Sequence, residues 1–206
     1  MTKTEILDDI EYVTALAVEG RNAPYLGGRI GLMWGVLLCV TLLIHWATLT
    51  GHLAFPQSSL GILWIVYGVV GFVLSGILNR GTPAKPGQSS MNNKVANALW
   101  VGNAIFLSIY AMSAGLSAGF GGNDFIIMDT ILPLAFGLYG FIHYVLARIS
   151  AEKWQYVSSA VSLGFVPICL FLQGEANLYL ASVVGIIATI IVPSLLYIKR
   201  EPHDVI

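Results

Sequence analysis

The chain has 206 residues, of which 56% are hydrophobic and 10% charged, and its mean hydropathy is +0.78. Soluble domains carry roughly 25% charged residues, so this composition excludes a water-soluble enzyme or binding module. The formal net charge of -1 also excludes nucleic acid as a partner, because binding a polyanion requires a clustered basic surface. The composition predicts an all-α integral membrane protein whose main partner is the lipid bilayer.

Residues 1–29 are predicted to form a cytoplasmic amphipathic helix ahead of the first span. Between Thr2 and Gly20 this segment carries five acidic residues and one lysine, whereas helices that lie on a membrane surface favour Lys and Arg. One interpretation is therefore a helix that docks on a protein partner or mediates self-association, and the other is an interfacial helix that only anchors the first span. Its candidate docking face consists of four apolar residues at helical spacing: Ile6, Ile10, Val13 and Ala17.

Six apolar stretches follow, each of about the 20 residues that a helix needs to cross the ~30 Å hydrocarbon core of a bilayer. They combine into one six-helix transmembrane domain over residues 30–198, with a cytoplasmic tail over 199–206. The predicted spans are residues 30–49, 60–79, 96–117, 126–147, 155–173 and 177–198.

The positions of the basic residues predict the orientation. All ten Lys and Arg lie before the first span, after the last, or in the segments that follow spans two and four. Basic residues stay on the cytoplasmic side during insertion, so six spans place both termini in the cytoplasm. The sequence has no Asn-x-Ser/Thr site, which fits a plasma membrane of the bacterial inner-membrane type.

Spans two and four share an aromatic-Gly-x-x-Gly-Phe core that begins at Tyr67 and at Phe136, an offset of 69 residues. This match predicts three tandem helical hairpins, formed by spans one and two, three and four, and five and six. Because lipid leaves little hydrophobic drive for helices to associate, small residues are expected at helix contacts, although the same residues would also suit an open permeation path. The predicted packing residues are Gly68, Gly71, Gly137, Gly140, Ala111 and Gly115.

Polar groups at membrane depth are the candidate functional residues, because Asp at the centre of a membrane helix costs about 2.5–3.5 kcal/mol. The candidate intramembrane polar site comprises Asp129, His45, Asn103 and His143. Asp129 and His45 are predicted within about 6 Å of the outer boundary, where they either form a proton or cation site or reach headgroup water. If spans one and four pack together, these two residues can pair. His143 is expected about 20 Å away, near the cytoplasmic end of span four.

The sequence contains no catalytic constellation and no cofactor or metal-ligand spacing, so we predict neither enzyme activity nor a cofactor nor a metal site. The leading interpretation is an accessory, assembly or sensory subunit that acts through protein contacts. The alternative is a small-solute or ion channel or transporter with a polar site near Asp129 and His45. A dry, tightly packed bundle would favour the first function, and a continuous polar tunnel the second.

Overall fold

The structure, a computed structural model, describes residues 10, 25–80, 88–120 and 125–201, which contain helices and no strand. Of the predicted docking face, Ile6, Val13 and Ala17 lie outside these residues, whereas Ile10 is helical and 57% exposed. The helices that form the bundle are α1 Gly28–Leu49, α2 Leu60–Asn79, α3 Met91–Phe120, α4 Ile131–Ile149, α5 Gln155–Phe171 and α6 Asn177–Arg200. Short 3-10 turns, Gln57–Ser59 and Phe125–Thr130, lead into α2 and α4, and the segment Ile187–Ile191 of α6 is π-helical.

The prediction of an all-helical chain rich in membrane-spanning candidates is confirmed, since five helical stretches are long and apolar enough to cross a bilayer. Helix α5 is also apolar but has 17 residues, a length of about 25 Å. It nevertheless runs alongside most of α4. The Gly174 N–H beyond its end donates to Asp129 before α4, and Lys153 before its start donates to the Ala147 carbonyl near the end of α4.

Helix α1 lies antiparallel to both α2 and α6. Trp34 near the start of α1 donates a hydrogen bond to Ser75 near the end of α2, at 2.9 Å. At the other end of α1, His45 stacks on Tyr179 near the start of α6. Helix α4 is antiparallel to α5, and this pair makes the most extensive helix contact in the bundle. That contact joins helices from two different predicted hairpins.

The basic residues that the structure describes lie at one end of the bundle, which we call the basic end. Two polar side chains tie the helices together there. Asn93 Oδ1 accepts a hydrogen bond from the Leu26 N–H at 2.8 Å, and Glu201 accepts one from the Gly27 N–H at 3.4 Å and lies 3.9 Å from Arg29. The residues at this end are Arg29, Arg80, Lys94, Arg148, Lys153, Lys199 and Arg200.

Two of the predicted packing glycines lie at close helix contacts. A Cβ on Gly71 would meet the indole ring of Trp34, and a Cβ on Gly140 would lie 2.7 Å from Leu163 Cγ. Glycine therefore lets α1 approach α2, and α4 approach α5, more closely than alanine would. Of the other predicted packing residues, Gly68 and Gly115 face open space, Gly137 has Val166 at ordinary van der Waals distance, and Ala111 is partly buried.

Helices α2 and α3 lie at the periphery. In the most apolar stretch of each, only 6% of the residues are buried, compared with 56% in the stretch that contains α4. The fully buried side chains come instead mainly from α1, α4, α5 and α6 and include Leu42, Phe136, Cys169 and Ile186. The core is thus built by α1 together with the three consecutive helices α4, α5 and α6, and α2 and α3 pack on its outside.

Candidate functional site

Asp129 lies in the 3-10 turn that leads into α4 and is 8% exposed. Its Oδ1 accepts a hydrogen bond from the Tyr179 hydroxyl at 2.5 Å, and its Oδ2 accepts one from the Gly174 N–H at 3.0 Å. Gly174 has φ +83°, a conformation that favours glycine and that orients the α5–α6 turn toward the carboxylate. Both carboxylate oxygens are therefore bonded, and Asp129 fastens the α5–α6 turn to the start of α4.

Tyr179 connects Asp129 to His45. The phenol ring stacks on the His45 imidazole, with ring centroids 3.8 Å apart and 24° between the planes. On its other side, His45 Nδ1 accepts a hydrogen bond from Trp64 Nε1 at 3.0 Å. A bond from an N–H donor requires a lone pair on Nδ1, so the ring is neutral and carries its proton on Nε2. Asp129 and His45 thus belong to one group, the Asp129 cluster (Asp129, Tyr179, His45, Trp64 and Gly174), and Tyr179 bridges them.

Asn103 lies away from this cluster. It is on the side of α3 that carries Trp100 and Leu107, which both pack against the core. On α3, Tyr110 lies at about the same level as Asp129, because its hydroxyl is 2.8 Å from the hydroxyl of Thr130, the residue after Asp129. Asn103 precedes Tyr110 by seven residues, about 10 Å along the helix. The structure therefore does not place Asn103 with Asp129 and His45.

His143 lies in the half of α4 nearer the basic end and is 1% exposed. Its Nε2 is 2.8 Å from the Thr189 carbonyl oxygen of α6, and because a carbonyl only accepts, Nε2 carries the proton. Pro193 explains why this carbonyl is available: proline has no N–H to give to the carbonyl four residues earlier. The π-helical segment Ile187–Ile191 widens α6 at the same place. His143 therefore supplies the hydrogen bond that the proline cannot.

A second group of buried polar side chains extends from His143 toward the basic end. We call it the Gln155 cluster: Gln155, His143, Tyr25 and Tyr197. The Gln155 amide lies near both the His143 ring and the Tyr25 hydroxyl. Among the described residues, however, neither amide atom has a partner with hydrogen-bond geometry, and the same holds for His143 Nδ1 and the Tyr197 hydroxyl. Burial raises the pKa of the Tyr25 phenol, which therefore stays protonated at neutral pH.

Sequence reasoning identified His143 but missed Gln155 and Tyr179. The sequence does carry a signal for Gln155, because it begins a polar stripe at helical spacing inside a predicted span, and all members of that stripe are buried. Tyr179 gives no such signal, since tyrosine near the end of a span is equally typical of the membrane interface. The stripe consists of Gln155, Ser158, Ser159 and Ser162.

An apolar layer separates the two polar clusters. Phe136 of α4 is fully buried, and its ring stacks on that of Phe165 of α5 with centroids 5.1 Å apart. Gly185 of α6 completes the layer, because a Cβ there would lie 2.9 Å from Phe165 Cδ1 and would also meet Phe136. Along α6, Gly185 falls between Tyr179 of the Asp129 cluster and Thr189, the partner of His143. The three helices thus meet through carbon atoms at this level.

No protein-family model, curated protein or solved structure matches the chain. Its function is therefore inferred from the two polar clusters and from the apolar layer between them.

Proposed function

We propose that the protein is an accessory, assembly or sensory subunit of a membrane and acts through protein contacts. The observation that carries this proposal is the apolar layer of Phe136, Phe165 and Gly185. A solute or ion pathway needs polar groups or water along its whole length, whereas this layer lies between the Asp129 and Gln155 clusters. Asp129 supports the same function, because both of its carboxylate oxygens are already bonded within the chain.

We further propose that the six helices cross the plasma membrane of a bacterium as three tandem hairpins with both termini in the cytoplasm. The gathering of the described Lys and Arg at the basic end supports this orientation, since such residues remain cytoplasmic. The course of α5 alongside α4 supports counting it as a span.

Two parts of the chain suit contacts with a partner or with a second copy. One is the periphery formed by α2 and α3, where 6% of the most apolar stretch of each helix is buried within the chain. The other is the N-terminal segment, which we propose to be an amphipathic helix that docks through Ile6, Ile10, Val13 and Ala17. Its five acidic residues suit a basic surface better than anionic lipid.

The proposed contact function is tested by comparing the full chain with a variant that lacks residues 2–20. We expect native mass spectrometry of the protein, extracted from its own membranes, to give a mass above the 22.2 kDa of one chain. The shortened variant should still insert into the membrane but should be isolated as a single chain. A complex with the same number and kind of chains after the deletion would contradict a docking role for the N-terminal segment.

The alternative function, a small-solute or ion channel or transporter, is tested in liposomes. Proton and potassium fluxes through liposomes that contain the full chain should equal those of protein-free liposomes. A flux that appears with the protein and falls in the Asp129→Asn variant would overturn the proposal and favour a pathway through the Asp129 cluster.

A further inference from the structure

The Gln155 cluster contains more buried hydrogen-bonding capacity than the described residues satisfy. Gln155 is fully buried and His143 is 1% exposed. Gln155 Oε1, Gln155 Nε2, His143 Nδ1 and the Tyr197 hydroxyl have no partner with hydrogen-bond geometry within the described part of the chain, although the Gln155 amide lies near the His143 ring and the Tyr25 hydroxyl. A buried polar group without its hydrogen bond is energetically costly, and native proteins retain few such groups. Their concentration at one place points to a bound molecule.

His143 and Gln155 determine what that molecule must offer. Because His143 Nε2 donates to the Thr189 carbonyl, Nδ1 of the neutral ring can only accept. Gln155 adds an acceptor through Oε1 and a donor through Nε2. A molecule that satisfies all three atoms must therefore both donate and accept hydrogen bonds. A metal ion offers no acceptor and a fully deprotonated anion such as sulfate offers no donor, so neither satisfies the set.

The charges near the cluster indicate an uncharged molecule. Glu152, the acid that approaches Tyr25 and Tyr197, already accepts a hydrogen bond from Trp154 and pairs with Arg200. A cation beside Gln155 would thus lack a free carboxylate. None of the described Lys or Arg acts on His143, Tyr25 or Tyr197, so an anion would lack a basic partner in contact with the cluster, and an unpaired buried charge is costly.

We propose that the Gln155 cluster is a binding site for a small uncharged molecule with hydroxyl or amide hydrogen-bonding chemistry, held by Gln155 and His143. Water and small organic alcohols or amides share this chemistry. The site is independent of the accessory function proposed above, because a contact protein and a conducting protein can equally hold such a molecule.

The proposal is tested by determining the structure of the full chain in lipid nanodiscs at a resolution that shows ordered water. We expect density within hydrogen-bond distance of both the Gln155 amide and His143 Nδ1. A Gln155 amide bonded directly to His143 and Tyr25, without further density, would overturn the proposal. Because this measurement uses the unmodified chain, its result does not depend on whether a variant folds.

Variants then distinguish bound water from a bound organic alcohol or amide. Gln155→Met keeps the length of the side chain but removes its polar atoms, and Gln173→Met makes the same change near the opposite end of the bundle. An organic molecule should be released on denaturing the unmodified chain and Gln173→Met but be lost from Gln155→Met. Density of the size of one oxygen, without a released compound and absent from Gln155→Met, would identify water. Density that persists unchanged in Gln155→Met would overturn the assignment.

Discussion

At the scale of single residues, Tyr179 has two roles that its position in the sequence does not reveal. Its ring covers His45, and its hydroxyl satisfies one oxygen of the buried Asp129 carboxylate. Counting residues from the predicted span ends is enough to place Asp129 and His45 at one level. It is not enough to find their connection, because that requires knowing that α6 supplies a side chain to both.

Tyr179→Phe should destabilise the bundle by about 1–3 kcal/mol, because it keeps the ring stack but leaves Asp129 Oδ1 without its donor. The free energy of unfolding in detergent, measured by denaturant titration, checks this value. Tyr144→Phe is the matched control, since Tyr144 is 50% exposed and should lose less than about 0.5 kcal/mol. Equal losses in the two variants would contradict the role of the Tyr179 hydroxyl.

His143→Leu should also cost about 1–3 kcal/mol, because it leaves the Thr189 carbonyl without the donor that replaces the missing N–H of Pro193. The exposed His52 provides the control: His52→Leu should change the free energy of unfolding by less than about 0.5 kcal/mol. The role assigned to His143 would be wrong if Pro193→Ala, which restores the N–H, left the cost of His143→Leu unchanged.

At the scale of helices, some glycines lie against a neighbouring helix and others do not, and the repeated aromatic-Gly-x-x-Gly-Phe motif does not predict which. Gly68 and Gly71 belong to the same motif, yet only Gly71 meets a neighbouring side chain. The sequence cannot resolve this difference, because α2 is apolar all round and does not reveal which face is turned inward. The π-helical segment of α6 is likewise not evident from apolar spacing, although Pro193 marks its neighbourhood.

Alanine should destabilise the protein at Gly185 but not at Gly68. Gly185→Ala places a Cβ against Phe136 and Phe165 and should destabilise by about 1–3 kcal/mol through overpacking. Gly68→Ala meets nothing within 4 Å and should be neutral or stabilise by up to about 1 kcal/mol, as expected for removing a glycine from a helix. Thermal unfolding in detergent measures both. A neutral Gly185→Ala would show that the apolar layer is not tightly packed.

At the scale of the whole molecule, the sequence predicts the number of apolar helices and the common end of the basic residues, but not which helices are neighbours. In lipid, close packing and buried hydrogen bonds determine which helices pack together, and both depend on side-chain geometry. The α4–α5 contact illustrates this, since Ser159 donates to the Gly140 carbonyl at 2.8 Å where glycine allows close approach.

Cysteine labelling in intact cells should place the two ends of α5 on opposite sides of the membrane. Ala151 and Glu175 flank this helix and both are exposed, whereas the native Cys39 and Cys169 are buried. A membrane-impermeant maleimide added outside should label Glu175→Cys but not Ala151→Cys until the cells are opened. Labelling of both variants from one side would mean that α5 does not cross, and the termini would then lie on opposite faces.

The π-helical segment Ile187–Ile191 contains one residue more than a regular α-helix would need to cover the same rotation, since its turn is wider than that of the α-helix on either side. Deleting Ala188 should let this segment become regular α-helix, and the residues before and after it should keep the faces that they present to the neighbouring helices. Deleting Val184, which lies in a regular α-helical turn, should instead rotate the residues on one side of it by about 100° about the helix axis and abolish folding. Yield of membrane-inserted protein compares the two deletions. Shortening of this last helix by one residue is thus a change that evolution can make here in a single step.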